Sequence, residues 1–123
     1  MEDFGQRPAI LVVEDIGWIR SAMRKAVEGQ GYRTVEATND AEAMQLVEQE
    51  SIELILTEED VPTLNALIAR LREHPTLCSV PVAIVNPDAE DGARLGDAYL
   101  LPDYADIRSF LANFKVTRGS PQR

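Results

Sequence analysis

Apolar residues fall into two alternating kinds of run along the chain. The first kind is short and largely continuous: AILVV at 9–13, IELILT at 52–57, VPVAIV at 80–85 and AYLL at 98–101. Apolar runs of this length, bounded by polar residues, read as strands buried on both faces of a parallel sheet. The run at 32–37 is broken by Arg33, Thr34 and Glu36, which places it nearer a sheet edge. The second kind is spaced for helices. Ile19, Ala22, Met23, Ala26 and Val27 share one helical face. So do Leu64, Leu67, Ile68 and Leu71, and again Ile107, Phe110, Leu111 and Phe114, while Ala43, Met44, Leu46 and Val47 lie between the second and third strands. Gly29 and Gly31 end the first helix, Asn39 with Glu42 opens the second as a capping pair, Pro62 suits the start of the third, and Pro75 stops it.

Five predicted strands alternating with helices imply an α/β domain with a doubly wound parallel sheet. One crossover is short. Residues 86–97 lie close to the ~10–12 that a parallel crossover needs with its helix, and they include Pro87, Asp88, Gly92 and Gly96. The fourth helix is therefore expected to be shortened or missing, with a turn or two at most around 89–95. Residues 1–8 read as an N-terminal tail, 9–115 as the domain, and 116–123, with Gly119, Ser120 and Pro121, as a C-terminal tail or the start of a linker.

Composition narrows the function classes. The 123 residues suit one domain, and 45% apolar content is ordinary for a globular chain. A formal charge of −9 argues against direct nucleic-acid binding. No apolar stretch approaches the ~20 residues of a membrane span. Met1-Glu2-Asp3-Phe4 lacks the basic start of a signal peptide, and Cys78 is alone, so no internal disulfide forms and a cytoplasmic location is expected.

The candidate chemistry lies where two strands end in acids. In open parallel sheets, function sits beyond the carboxyl ends of the strands. The segment LILTEEDVP at 54–62 ends in Glu58, Glu59 and Asp60, and the first strand ends in Glu14 and Asp15. Adjacent strands tipped in this way would form one acidic pocket. A flavodoxin-like nucleotide or flavin binder is the weakest alternative, because no glycine-rich phosphate loop follows the first strand and acids there repel an anionic cofactor.

The pieces ILVVED, LILTEEDVP, VPVAIV and GDAYL, in this order and spacing, resemble the receiver domain of two-component response regulators, from about residue 9 to residue 114. The resemblance implies a flavodoxin-like (CheY-like) five-stranded parallel sheet of order 2-1-3-4-5. It also implies a phosphoryl group passed from a histidine kinase to an aspartate four residues before a proline. Here Glu58 holds that position ahead of Pro62. By the same resemblance Glu14 and Asp15 are the magnesium-binding acids, and Asp60 supplies a carbonyl to the metal. Asn86 replaces the hydroxyl residue, Pro102 the lysine, and Ala66 a glycine, while Tyr99 keeps the aromatic switch position.

These departures have chemical consequences. An added methylene moves the carboxylate by ~1.5 Å, and ~1 Å can cost ~100-fold in a nucleophilic step. Proline cannot supply the cation that would stabilise transferring charge. Glu58 is therefore expected to be a degenerate phosphoacceptor position, and the domain a non-enzymatic, atypical receiver that acts by phosphorylation-independent protein binding. Magnesium at Glu14, Asp15 and Asp60 is expected to bind weakly or not at all, millimolar or worse, and no other cofactor is implied. Glu58 either imitates an aspartyl phosphate or leaves the site inert, and both readings stand. A phosphorelay using a neighbouring acid such as Asp60 is the alternative. The expected partner is a protein: a histidine kinase, a phosphotransfer protein or an effector, with neither nucleic acid nor membrane, and with homodimerisation open. It would meet the last helix edged by Tyr99 and Tyr104, or the first helix near Trp18.

Overall fold

A computed structural model of the chain describes residues 9–58, 64–90, 94–95 and 97–119, with backbone alone at 94–95 and 115–119. Its elements alternate along the chain. They are β1 (Ala9–Val13), α1 (Gly17–Glu28), β2 (Arg33–Ala37), α2 (Asp40–Gln49), β3 (Ile52–Glu58), α3 (Leu64–Glu73), β4 (Val82–Val85), β5 (Arg94–Leu95), β6 (Ala98–Leu101) and α4 (Asp106–Gly119). The sheet order is β2-β1-β3-β4-β6-β5. The five parallel strands keep the expected order 2-1-3-4-5, with β6 as the fifth of them. The two-residue β5 is an addition that the sequence reading did not anticipate, antiparallel to β6 through Arg94↔Tyr99 and Leu95↔Ala98.

Side chains alternate across a strand, so each strand feeds two cores. Leu11, Val13, Ile55, Val82 and Ile84 face α2 and α3, where they meet Ala43, Met44, Val47, Leu64, Leu67 and Leu71. Ile10, Val12, Leu54, Leu56, Ala83 and Val85 face α1 and α4, where they meet Met23, Val27, Ile107 and Leu111. All five residues of β1 are fully buried, as a central strand covered on both faces requires. β2 is only half covered over most of its length, in keeping with its polar pattern and edge position.

The helix boundaries follow local chemistry. Asn39 caps α2, its side-chain oxygen accepting from the Glu42 amide at 2.9 Å. Glu42 returns the bond one residue earlier than a capping box would, to the Thr38 amide at 2.7 Å. The chain leaves α1 through Gly29 and turns at Gly31, where φ is 90°, a conformation that favours glycine. α4 runs on to Gly119, past the boundary expected at 115, because nothing between Lys115 and Arg118 breaks a helix.

The β4–β6 crossover contains no helix among its described residues. Asn86 turns the chain at once: its side-chain oxygen accepts from the Asp88 amide at 2.9 Å, and its carbonyl from the Ala89 amide at 2.9 Å. The chain then enters the β5–β6 pairing. The crossover thus ends in an antiparallel hairpin against the last strand of the parallel set.

Candidate functional site

The strand register assembles the pocket. Val12 pairs with Leu56 and Val13 with Thr57, so one step further brings Glu14 alongside Glu58. Both follow the even-numbered set that faces α1 and α4. The same parity that buries Val12 and Leu56 therefore points two carboxyl groups into the mouth of that layer.

Glu14 is fully buried. Its amide donates to the Ala37 carbonyl at 3.0 Å, which extends the β1–β2 pairing past Val13. One carboxyl oxygen, Oε2, accepts from the Ile16 amide at 3.0 Å. The other, Oε1, is buried and has no partner if the group is ionised. The carboxyl is pushed up to about 8, first by burial, then by a hydrogen bond and charge repulsion from Glu58 and by Asp15, with the Ile16 amide opposing the shift. Burial and the facing carboxyl of Glu58 thus both favour the protonated form of Glu14.

Glu58, at the end of β3, is 9% exposed. The Tyr104 hydroxyl donates to its Oε2. The described arginines at the start of α1 bond elsewhere. Arg20 Nη1 donates to the backbone carbonyl of Glu14 at 2.9 Å, and its Nε is bonded to Glu36 at 3.0 Å. Arg24 also reaches Glu36, at 3.4 Å. These bonds fix the start of α1 against β1 and β2.

The other expected positions divide. Asp15 is exposed beside the pocket. Asn86 uses its side-chain oxygen in the turn to Asp88. Tyr99 is half buried and packs on Phe110, centroids 5.1 Å apart at 59°, and Phe110 stacks on Phe114 at 5.8 Å. Pro102 is half buried and offers no donor. Asp60 and Glu59 lie outside the described residues. Trp18 is 76% exposed, with Ile16 at 44%. The role of Tyr104 was missed from the sequence. It was placed at the rim of a partner surface, and no spacing rule links it to Glu58, 46 residues away.

Magnesium would require several ionised oxygens converging at ~2.0–2.1 Å. Among the described residues no three His, Cys, Asp or Glu groups are disposed to hold a metal ion. Of the described donors, Glu14 is fully buried with one oxygen held by the Ile16 amide, and Glu58 has one oxygen held by Tyr104, so each already spends an oxygen on a protein partner.

A doubly wound parallel sheet with its acidic mouth at the β1 and β3 ends defines the receiver class of signalling modules. The chain belongs to the response regulator receiver domain family, whose model matches residues 10–97. It is 35% identical over 71 residues to the aerobic respiration control protein ArcA of Escherichia coli, a match covering 56% of this chain and 30% of that protein. It is 31% identical over 104 residues to a gliding motility regulatory protein of Myxococcus xanthus, covering 78% of this chain and 13% of that protein. The matches thus span less than a third of these curated relatives' lengths. Among solved structures, a chemotaxis response regulator of Vibrio cholerae superposes with a TM-score of 0.74 at 15% identity, covering 88% of this chain and 98% of that one. The receiver domain of a Pseudomonas aeruginosa sensor histidine kinase, solved with magnesium in its active-site cleft, gives 0.72 at 20% identity, covering 87% and 96%. At these identities the structural likeness speaks to the fold alone. The chain is thus a receiver domain of two-component signalling. No described helix is long and apolar enough to cross a membrane.

Proposed function

We propose that this receiver works by binding a protein partner without being phosphorylated, and that Glu58 is a degenerate phosphoacceptor position. The observation that carries the reading is the placing of Glu58, whose carboxyl oxygen accepts from the Tyr104 hydroxyl beside the fully buried Glu14, in a pocket without a described cation. An attacking carboxylate must be free and beside a charge-stabilising group. Among the described residues Glu58 meets neither condition. The site is then neither enzymatic nor dependent on magnesium, which would bind at millimolar affinity or worse at Glu14, Asp15 and Asp60.

The partner is a histidine kinase, a phosphotransfer protein or an effector in the cytoplasm. The surface we assign to it is the start of α1. Among the described residues, Ile16 and Trp18 are the exposed large apolar side chains, and they adjoin the exposed Asp15. Exposed aromatic anchors of this kind carry most of the energy in protein interfaces.

The test is intact-mass spectrometry after incubation with acetyl phosphate and magnesium. The protein is expected to stay unmodified. A labile phosphoryl adduct would contradict the reading, and an adduct mapped to Asp60 would favour the phosphorelay alternative.

A further inference from the structure

We infer that Tyr104 is the positioning residue of the acidic pocket: its hydroxyl clamps the Glu58 carboxylate and fastens the end of β3 to the turn that opens α4. The inference deepens the functional reading above and rests on it, by naming what holds the site in a single arrangement.

Three sets of contacts meet at Tyr104. Its ring is half buried against the cluster that contains Ile10, Val12, Leu56 and Ile107. The turn that carries it is fixed by its own backbone. Ala105 N donates to the Asp103 carboxylate at 3.1 Å, Asp106 N to the Asp103 carbonyl at 3.0 Å, and Ile107 N to the Tyr104 carbonyl at 3.0 Å. One strand away, Asn86 N donates to the Leu101 carbonyl at 2.8 Å and sets where β6 hands over to this turn. Ring and backbone thus aim the hydroxyl, and it donates to Oε2 of Glu58.

The bond matters at both ends. A buried carboxylate without donors bears its full desolvation cost, and a hydrogen bond to an ionised group is stronger than a neutral one. Removing either partner leaves the other under-satisfied in a largely buried site. Glu58 and the first turn of α4 therefore hold each other in place. Any movement of the turn must first break a charge-assisted bond, and any movement of the carboxylate must release the turn. A switch requires two populated arrangements, and the clamp favours one.

The test is native-state amide hydrogen exchange at Asp106 and Ile107 in the full chain, with the Leu11 and Ile55 amides at the sheet centre as the reference for global opening. Tyr104→Phe, which keeps the ring, and Glu58→Met, which removes the acceptor, should each speed exchange at the two turn amides about tenfold, the effect of losing one charge-assisted bond. The double variant should exchange within about threefold of either single variant, because both remove the same bond. Glu58→Gln keeps an acceptor oxygen and should stay within about threefold of the unsubstituted protein. A merely structural tyrosine would give additive effects and no dependence on residue 58. Additive rates, or unchanged exchange in Glu58→Met, would overturn the clamp. Neither outcome bears on phosphorylation, and a phosphoryl adduct would refute the functional reading while leaving the clamp standing.

Discussion

Replacing Glu14 with glutamine is expected to stabilise the domain at pH 8 and to remove most of its pH dependence between about pH 4.5 and 8. The cause is the raised carboxyl of Glu14, which moves from 4.5 to about 8 in the fold. Between those values the folded protein holds a proton that the unfolded chain has released. Folding stability then falls as pH rises, by up to about 1.4 kcal/mol per unit for one proton. The contribution is fully present below about 4.5, is lost progressively across that window, and above about 8 the folded state bears the cost of an ionised, buried Glu14. Glu58 repels its charge, Glu58 and Asp15 favour its protonated form by hydrogen bonding, the Ile16 amide opposes the shift only in part, and Arg20 is bonded to its carbonyl and to Glu36. Glutamine reproduces the protonated acid, with an oxygen for the Ile16 amide and a donor for Glu58. The variant should gain on the order of 2–4 kcal/mol over the parent at pH 8 and match it below pH 4.5. Denaturant unfolding across this range measures both. Glu58→Gln should narrow the dependence without abolishing it, because burial is the larger cause. Two parallel, steep pH profiles for parent and Glu14→Gln would contradict this account of the pocket.

Partner affinity should depend on Trp18 and hardly at all on Glu58. If no phosphoryl switch operates, Glu58→Ala and Glu58→Asp change affinity by less than about threefold, under ~0.7 kcal/mol. Trp18→Ala should cost more than about tenfold, on the order of 1.4 kcal/mol or above. Trp18 is 76% exposed, so its removal costs the fold little and its effect reports the interface. Calorimetric titration against the native partner gives all three values in one series. Phosphodonor-dependent binding by Glu58→Asp would mean that the domain had kept a working switch.

How much of this was legible beforehand depended on how local each signal was. The apolar runs gave the parallel strands and their burial because a strand covered on both faces leaves no room for polar residues, as β1 illustrates. Asn39 and Glu42 announced the start of α2 because capping acts within four residues, although Glu42 reaches Thr38. The poor helical composition of 86–97 indicated a shortened or missing fourth helix, and none lies among the described residues there. It could not indicate β5, whose pairing depends on where β6 lies. In the pocket, Glu14 and Glu58 were legible as strand-end acids. The raised carboxyl of Glu14 follows from burial and register, and the role of Tyr104 from a contact across 46 residues, and neither leaves a pattern in the chain. Asn86 read as the replacement of a hydroxyl residue, and its side-chain oxygen proves to accept from the Asp88 amide in the turn after β4.

The most direct test of a receiver without a phosphoryl switch is the two-dimensional amide spectrum of the protein, recorded in magnesium before and after acetyl phosphate. The resonances of Asn86, Tyr99, Tyr104 and the first turn of α4 are expected to stay in place when the phosphodonor is added. Phosphodonor-dependent shifts spreading from Glu58 to Tyr99 and α4 would contradict the account.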